Sequence, residues 1–277
     1  MKNNNFFKYR RTKKPMTLVQ VSIADKGDCV ILVADRLITG TLSEDLPDYE
    51  FEAHSPKIIY HGNVGIGFAG SSLYADLMAE KINNKKDFDE IVKIVSNFIK
   101  NENEKEIAIF IKRYAGVKSK DFFERGNLPI PAEVRAFIYS QLKDFKVGCH
   151  CIIAGFDKKN KARIIIIDEQ GQTTETTSFS VSSIGSGAPF SEVYFDLCEY
   201  DLNMDTNEAL FFGYEAKQWA QSHTGVGNKT DILVLRKNKK PLEIYDNTEL
   251  MKKLNKKYEE EKERHIKNRK DLLKGEI

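Results

Sequence analysis

From Thr17 onward apolar and polar positions alternate: Leu18, Val19, Val21 and Ile23 lead into the turn cluster Ala24-Asp25-Lys26-Gly27-Asp28. Cys29-Val30-Ile31-Leu32-Val33-Ala34 follows as an unbroken apolar run. The spacing predicts a hairpin, and a second strand apolar on both faces belongs inside a sheet covered on both sides. Asp35 and Arg36 end that strand. An acidic loop comes next (Glu44, Asp45, Asp48, Glu50, Glu52), and Pro56-Lys57-Ile58-Ile59-Tyr60 resumes the strand pattern. A tight turn at His61-Gly62-Asn63 precedes Val64-Gly65-Ile66-Gly67-Phe68-Ala69-Gly70, where alternating glycines predict close approach of another backbone or a ligand.

Helical spacing then takes over, with one face at Leu73, Leu77, Met78 and Ile82 and another at Ile91, Val92, Ile94, Val95, Phe98 and Ile99. Residues 101–128 are polar and charged with scattered aromatics, which predicts a helical insertion. Pro131 opens a further helix through Val134, Phe137, Ile138 and Leu142. Strands return over 147–156, 162–167 and 177–184. Two helices follow, over 189–200 and 205–222, the second opened by the capping-box pair Asp205 and Glu208. Strands over 230–236 and 242–245 complete the pattern. Grouped strands and grouped helices predict an α+β fold of stacked antiparallel sheets with helical layers outside. From Thr248 a charged helical tail carries a thin apolar stripe at Met251, Leu254, Tyr258, Leu272 and Leu273, suited to docking on its own domain or a neighbouring subunit. With no repeat and no low-complexity linker, one domain is expected: a tail or propeptide over 1–15, the domain over 16–247 with an insertion within 83–128, and the charged tail over 248–277.

Composition narrows the function classes. The 277 residues are 41% hydrophobic, enough for a substantial core. Lys plus Arg number 43 against 41 Asp plus Glu, and a net charge of +2 excludes a globally basic nucleic-acid binder. Basic residues do collect in 1–15 (Lys2, Lys8, Arg10, Arg11, Lys13, Lys14), without acid and without the apolar core of a secretory signal. That segment reads as a disordered tail or an over-called start, a basic nucleic-acid arm being the sharper but unsupported alternative. No stretch approaches the roughly 18–20 apolar residues of a membrane helix. Four cysteines are too few for a disulfide scaffold, so a reduced, cytoplasmic protein is expected.

Several familiar constellations are missing, among them the phosphate-binding glycine loop, His-Glu-x-x-His and Cys-x-x-Cys. Cys149-His150-Cys151 imitates a metal cluster, but a strand turns His150 away from the two cysteines, so the three cannot converge on one ion. Gly185-Ser186-Gly187 sits between a strand and a helix and is weak evidence of an anion site or serine elbow by itself.

The order of the pieces resembles a known family. Residues 16–21 (Met-Thr-Leu-Val-Gln-Val), 30–36 (Val-Ile-Leu-Val-Ala-Asp-Arg), 56–59 (Pro-Lys-Ile-Ile) and 67–70 (Gly-Phe-Ala-Gly) are similar to the amino-terminal half of proteasome β-type subunits. They are equally similar to the peptidase subunit of the bacterial two-component ring protease. The second half agrees at Ala154-Gly155-Phe156-Asp157, at Ile166-Ile167-Asp168 with Gly171, across 183–190 (Ser-Ile-Gly-Ser-Gly-Ala-Pro-Phe), and at Thr230-Asp231-Ile232-Leu233. The resemblance covers about 17–247 and implies the four-layer αββα sandwich of N-terminal-nucleophile hydrolases.

It also implies a chemistry. In that family a first-residue threonine attacks the scissile carbonyl, its own α-amine serving as base at a reference pKa of about 7.7–8.0. Carried over, Thr17 stands at the nucleophile, Asp35 at the aspartate and Lys57 at the lysine. Gly70 stands at the oxyanion glycine and Ser186 at the serine that supports the amine. No cofactor and no metal are implied. The expected partners are copies of the same chain in a closed ring, an ATP-dependent unfoldase and unfolded protein substrates, with no nucleic acid and no membrane. Three departures stand beside the match. Thr17 is internal and follows Met16 where self-processing members carry glycine, and a shifted register puts Met16 itself at the nucleophile. The 18 steps from Thr17 to Asp35 demand extra residues at the hairpin turn. His223 and Val226 occupy positions where the family has an aspartate and a serine. A threonine peptidase beginning at Thr17 and a catalytically silent subunit on the same fold are therefore both open. Initiation at Met16 followed by removal of that methionine is expected to free the Thr17 amine.

Overall fold

A computed structural model describes residues 17–40, 49–52, 56–82, 87–124, 129–143, 145–222 and 225–274. The basic segment 1–15, Met16, the acidic residues of 41–48 and His223 lie outside them.

Val19–Ala24 (β1) and Cys29–Asp35 (β2) form the expected hairpin, in which Ala24 pairs with Cys29. The intervening Asp25 to Asp28 absorb the long spacing. Asp25 and Lys26 take left-handed φ of 50° and 56°, Gly27 takes 97°, and the turn is tied down by Tyr200, whose hydroxyl donates to the Ile23 carbonyl at 2.9 Å. Where the sequence reads as an acidic loop, Leu37–Gly40 (β3) and Tyr49–Glu52 (β4) pair as a second hairpin. Ile58–His61 (β5) and Val64–Gly70 (β6) follow. The helices Ser72–Ile82 (α1), Phe88–Ala115 (α2), Ser119–Glu124 (α3) and Ala132–Leu142 (α4) come next, with Pro131 at the cap rather than inside α4. Cys149–Phe156 (β7), Ala162–Ile167 (β8), the short Thr173–Glu175 (β9) and Val181–Ile184 (β10) return to strand. Ala188–Leu197 (α5), Thr206–Ala220 (α6), Thr230–Arg236 (β11), Leu242–Ile244 (β12) and Glu249–Lys274 (α7) complete the chain.

Two five-stranded antiparallel sheets result, in the orders β10-β1-β2-β11-β12 and β5-β6-β7-β8-β9. With seven α-helices among the described residues, the fold is α+β. β2 is central in its sheet and buried along its whole length, as its apolar run requires. The sheets share a core in which Val19, Val21 and Leu32 of one meet Ile152, Ala154 and Ile164 of the other. The alternating glycines serve this contact. A Cβ on Gly65 would lie 2.8 Å from Leu32 and one on Gly67 would collide with Val19, side chains of the facing sheet, whereas one on Gly70 would strike the Gly148 backbone, the close backbone approach the pattern predicts.

Each sheet's other face is covered by helices. Met78 and Ile82 of α1 and Ile91, Val95 and Ile99 of α2 pack on β6, β7 and β8. Leu210, Phe211 and Tyr214 of α6 and Met251 and Leu254 of α7 pack on β2 and β11. Burial of each such side chain contributes about 1.5–3 kcal/mol. The far half of α2 joins α3 and α4 in a satellite core of Phe110, Ile111, Phe122 and Ile138. From Lys262 to Asp271, α7 is exposed. No helix among the described residues is long and apolar enough to cross a membrane.

Candidate functional site

Thr17 stands immediately before β1 and is only 2% exposed. Because β1 and β2 run antiparallel, the start of one lies beside the end of the other, and the Asp35 amide donates to the Leu18 carbonyl at 3.1 Å. That register carries the Thr17 hydroxyl to Asp35, where Oγ1 donates to Oδ1 at 2.8 Å. Lys57 arrives from the other sheet. It precedes β5, and its carbonyl accepts from the Phe68 amide of β6 at 3.1 Å. Its Nζ donates to Asp35 Oδ1 at 2.8 Å and to Thr17 Oγ1. One hydroxyl is thus held between an ammonium and a carboxylate that belong to different sheets.

Asp35 is fully buried, a position tolerable for a carboxylate only when its oxygens are well bonded. Besides Thr17 and Lys57, Oδ1 accepts the Leu18 amide at 2.8 Å. Oδ2 accepts the Leu37 amide at 3.1 Å and the Gly227 amide at 2.8 Å. Burial pushes Lys57 below the ordinary lysine range, opposed by the negative charges of Asp35, Glu52 and Asp231. Next along the chain, Arg36 Nε lies 2.8 Å from both Asp231 oxygens, and its guanidinium sits over the Tyr245 ring with 5.4 Å to the centroid. Burial raises Asp231, and the Arg36 bond and charge work against that rise.

The turn between β10 and α5 wraps the Thr17 backbone. Ser186 Oγ accepts from the Thr17 nitrogen at 3.1 Å, and the Gly187 amide donates to the Thr17 carbonyl at 3.1 Å. Gly185 takes φ of 95°, and any Cβ there would strike that same carbonyl. Gly70, the last residue of β6, also takes a left-handed φ, of 115°, and any Cβ there would strike the Gly148 carbonyl. It lies two residues beyond Phe68, which anchors Lys57. Thr17, Asp35, Lys57 and Ser186 therefore form one hydrogen-bonded group, with Gly70 at the neighbouring strand end. Val226 is buried against Leu18 and Ala220, an apolar prop where the family pattern has a polar one. Val226 precedes the Gly227 amide that reaches Asp35.

Other sequence candidates fall outside this group. Cys149 and Cys151 are buried together on one face of β7 and half-buried His150 faces away, the arrangement strand alternation requires. Among the described residues no set of three or more His, Cys, Asp or Glu side chains is arranged to hold a metal ion.

Two contributors were not foreseen from the sequence. Gly227 acts through its backbone, which no side-chain pattern announces. Lys217 is fully buried in α6. Its signal was present, because Lys217 falls four residues after Gly213 and seven after Leu210, on the inward stripe of that helix.

Chemically, the arrangement can hold a hydroxyl in one orientation and place a positive charge where negative charge would develop on its oxygen. No protein-family model matches the chain and no curated protein matches it, so its chemistry is read from these side chains themselves.

Proposed function

We propose that this chain is a proteasome-like threonine peptidase subunit with the αββα fold of N-terminal-nucleophile hydrolases, cutting unfolded polypeptide inside a ring of its own copies. The observation that carries the reading is the Thr17 hydroxyl between Lys57 Nζ and Asp35 Oδ1. In this reading the chain begins at Thr17, so the nitrogen beside Ser186 is a free amine. That amine takes the hydroxyl proton as Oγ1 attacks the scissile carbonyl carbon. The Lys57 ammonium stabilises the developing charge on Oγ1, Asp35 holds Lys57 in place, and the Gly70 N–H receives the carbonyl oxygen as it becomes anionic. The amine then returns the proton to the departing nitrogen, and water releases the acyl group from Thr17. Exposed apolar side chains on the outer helices, Val193 and Leu197 of α5 and Trp219 of α6, suit contacts between subunits.

The second reading, a silent subunit on the same fold, is favoured by apolar Val226 at a supporting position. A chain started at Met16, with its first residue verified as Thr17, separates the two. Expected are hydrolysis of an unfolded protein, covalent capture of Thr17 by an electrophile specific for amino-terminal threonine, and loss of both in Thr17→Ala. A verified Thr17 terminus without either reaction overturns the peptidase reading in favour of the silent one. Sedimentation as only a 31.7 kDa monomer at micromolar concentration overturns the ring.

A further inference from the structure

Lys217 carries an ammonium that the chemistry above does not use. Its Nζ donates to Gln221 Oε1 at 2.7 Å and to the Asn228 carbonyl at 2.8 Å, both neutral acceptors. Gln221 Nε2 in turn donates to Asn228 Oδ1 at 2.6 Å. From the opposite side, Glu52 Oε1 of β4 accepts the Asn228 amide at 2.7 Å. Asn228 is thus gripped by α6 on one flank and β4 on the other, and its neighbour Gly227 donates to Asp35 Oδ2 at 2.8 Å. Gly227 packs closely there, since a Cβ would lie 2.8 Å from Glu52 Oε1 and 2.8 Å from Leu37.

Stability alone does not account for an ammonium at this place. Burial lowers Lys217 to about 8, against opposing charges on Asp35 at the end of β2, Glu52 on β4 and Asp246 after β12, and Lys57 ahead of β5 adds to the lowering. An aliphatic side chain of similar length would fill the space without a buried charge.

We propose that Lys217 is a positioning residue of the site: by holding the Asn228 carbonyl it sets the Gly227 N–H on Asp35 and so fixes the carboxylate that orients Lys57 and Thr17. The positioning rests on Thr17 being the reacting group, but the bond chain from Lys217 to Asp35 can be tested without any turnover.

The test uses the full chain, wild type and Lys217→Met, with amide exchange read at Gly227, Leu18 and Leu37, the three amides bonded to Asp35. Loss of Lys217 is expected to accelerate exchange at Gly227 by roughly tenfold or more, with Leu18 and Leu37, whose amides keep Asp35 as acceptor, changing less, the outcome for one local bond loosened in an intact fold. In a chain beginning at Thr17 the same variant is expected to slow electrophile capture roughly tenfold to a hundredfold, because small misplacements of reacting groups carry large rate penalties. Lys217→Arg, which restores the charge and donors, is expected to recover part of both. Should Lys217→Met not fold, the wild-type protein still decides: the Gly227 amide resonance should show a step at the midpoint of the Lys217 side chain, separate from any step at that of Lys57, which shares the Asp35 carboxylate. Gly227 exchange unaltered by Lys217→Met, or a Gly227 resonance that ignores the Lys217 titration, overturns the proposal whatever Thr17 does. Gly227 following Lys217 in a Thr17-first chain that never reacts supports the anchoring and overturns the peptidase instead.

Discussion

Asp35 gathers five donors from four parts of the chain: the Thr17–Leu18 segment, Leu37, Lys57 and Gly227. Asp35→Asn keeps the size but leaves the Lys57 ammonium, 13% exposed, without its counter-charge. Breaking a buried pair in this way costs about 3–5 kcal/mol, and urea denaturation of the variant is expected to show a loss of that order. Lys57 makes a prediction about pH. Its proton is held less tightly than an ordinary lysine's, so the charged form that supports Thr17 is lost at lower pH than usual. Capture of Thr17 by an electrophile is therefore expected to fall on the alkaline side at a lower pH than an ordinary lysine would set, and Lys57→Met should abolish it at every pH. At this scale the sequence was legible as far as side-chain contacts go: Thr17, Asp35, Lys57 and Ser186 meet in one hydrogen-bonded group. It was silent where chemistry lives in the backbone, as at Gly227, and misleading where a polar residue hides on an inward stripe, as at Lys217.

At the scale of elements, α6 carries both Lys217 and the packing against β1 and β2. Its start is held by Asp205, whose carboxylate accepts from the Asn207 amide at 2.8 Å and the Glu208 amide at 2.9 Å. Asp205→Ala is expected to lower stability by about 1 kcal/mol in urea denaturation, without touching the site geometry. Gly67→Ala should cost more, about 1–3 kcal/mol, because the new methyl enters the space of Val19 between the sheets. Helical periodicity made α1 and α6 legible, and dense apolar stretches did the same for β1, β2, β6 and β11, which are buried along nearly their whole length. The hairpin of β3 and β4 was not, since Tyr49-Glu50-Phe51-Glu52 reads equally as the end of an acidic loop. β9 is three exposed polar residues, Thr-Thr-Glu, and carries no apolar signal at all. Its place in the sheet comes from pairing with β8, a property of the partner.

For the molecule as a whole, the buried lysines tie stability to pH. Lys217 releases its proton near 8 in the fold, against 10.5 ordinarily. Between those values the unfolded chain holds more protons than the folded one, so stability rises with pH across that window and is lost again on acidification. The span corresponds to about 3 kcal/mol, and the cost is fully present below about pH 8. Read by difference, the urea midpoint of the wild type relative to Lys217→Met should rise from pH 8 to pH 10, with the variant no less stable at pH 7.

α2 is a single helix of 28 residues, about 42 Å long, whose near half lies on one sheet and whose far half belongs to the satellite core. Between the halves Asn103 is buried; its side-chain amide donates to the Glu169 carbonyl at 2.8 Å, and its oxygen accepts the Val147 amide at 2.9 Å. Mechanically this is a rod on a pivot. Phe122 and Phe137 at the outer end are joined through this one helix to Asn103, and by its bond to Val147 to the segment that leads into the next strand. β7 is that strand, and it pairs with β6 along the residues that end at Gly70. A truncation that removes the satellite therefore cuts a continuous helix rather than a loop, and is expected to lower the stability of the sheet that ends at Gly70, read by urea denaturation.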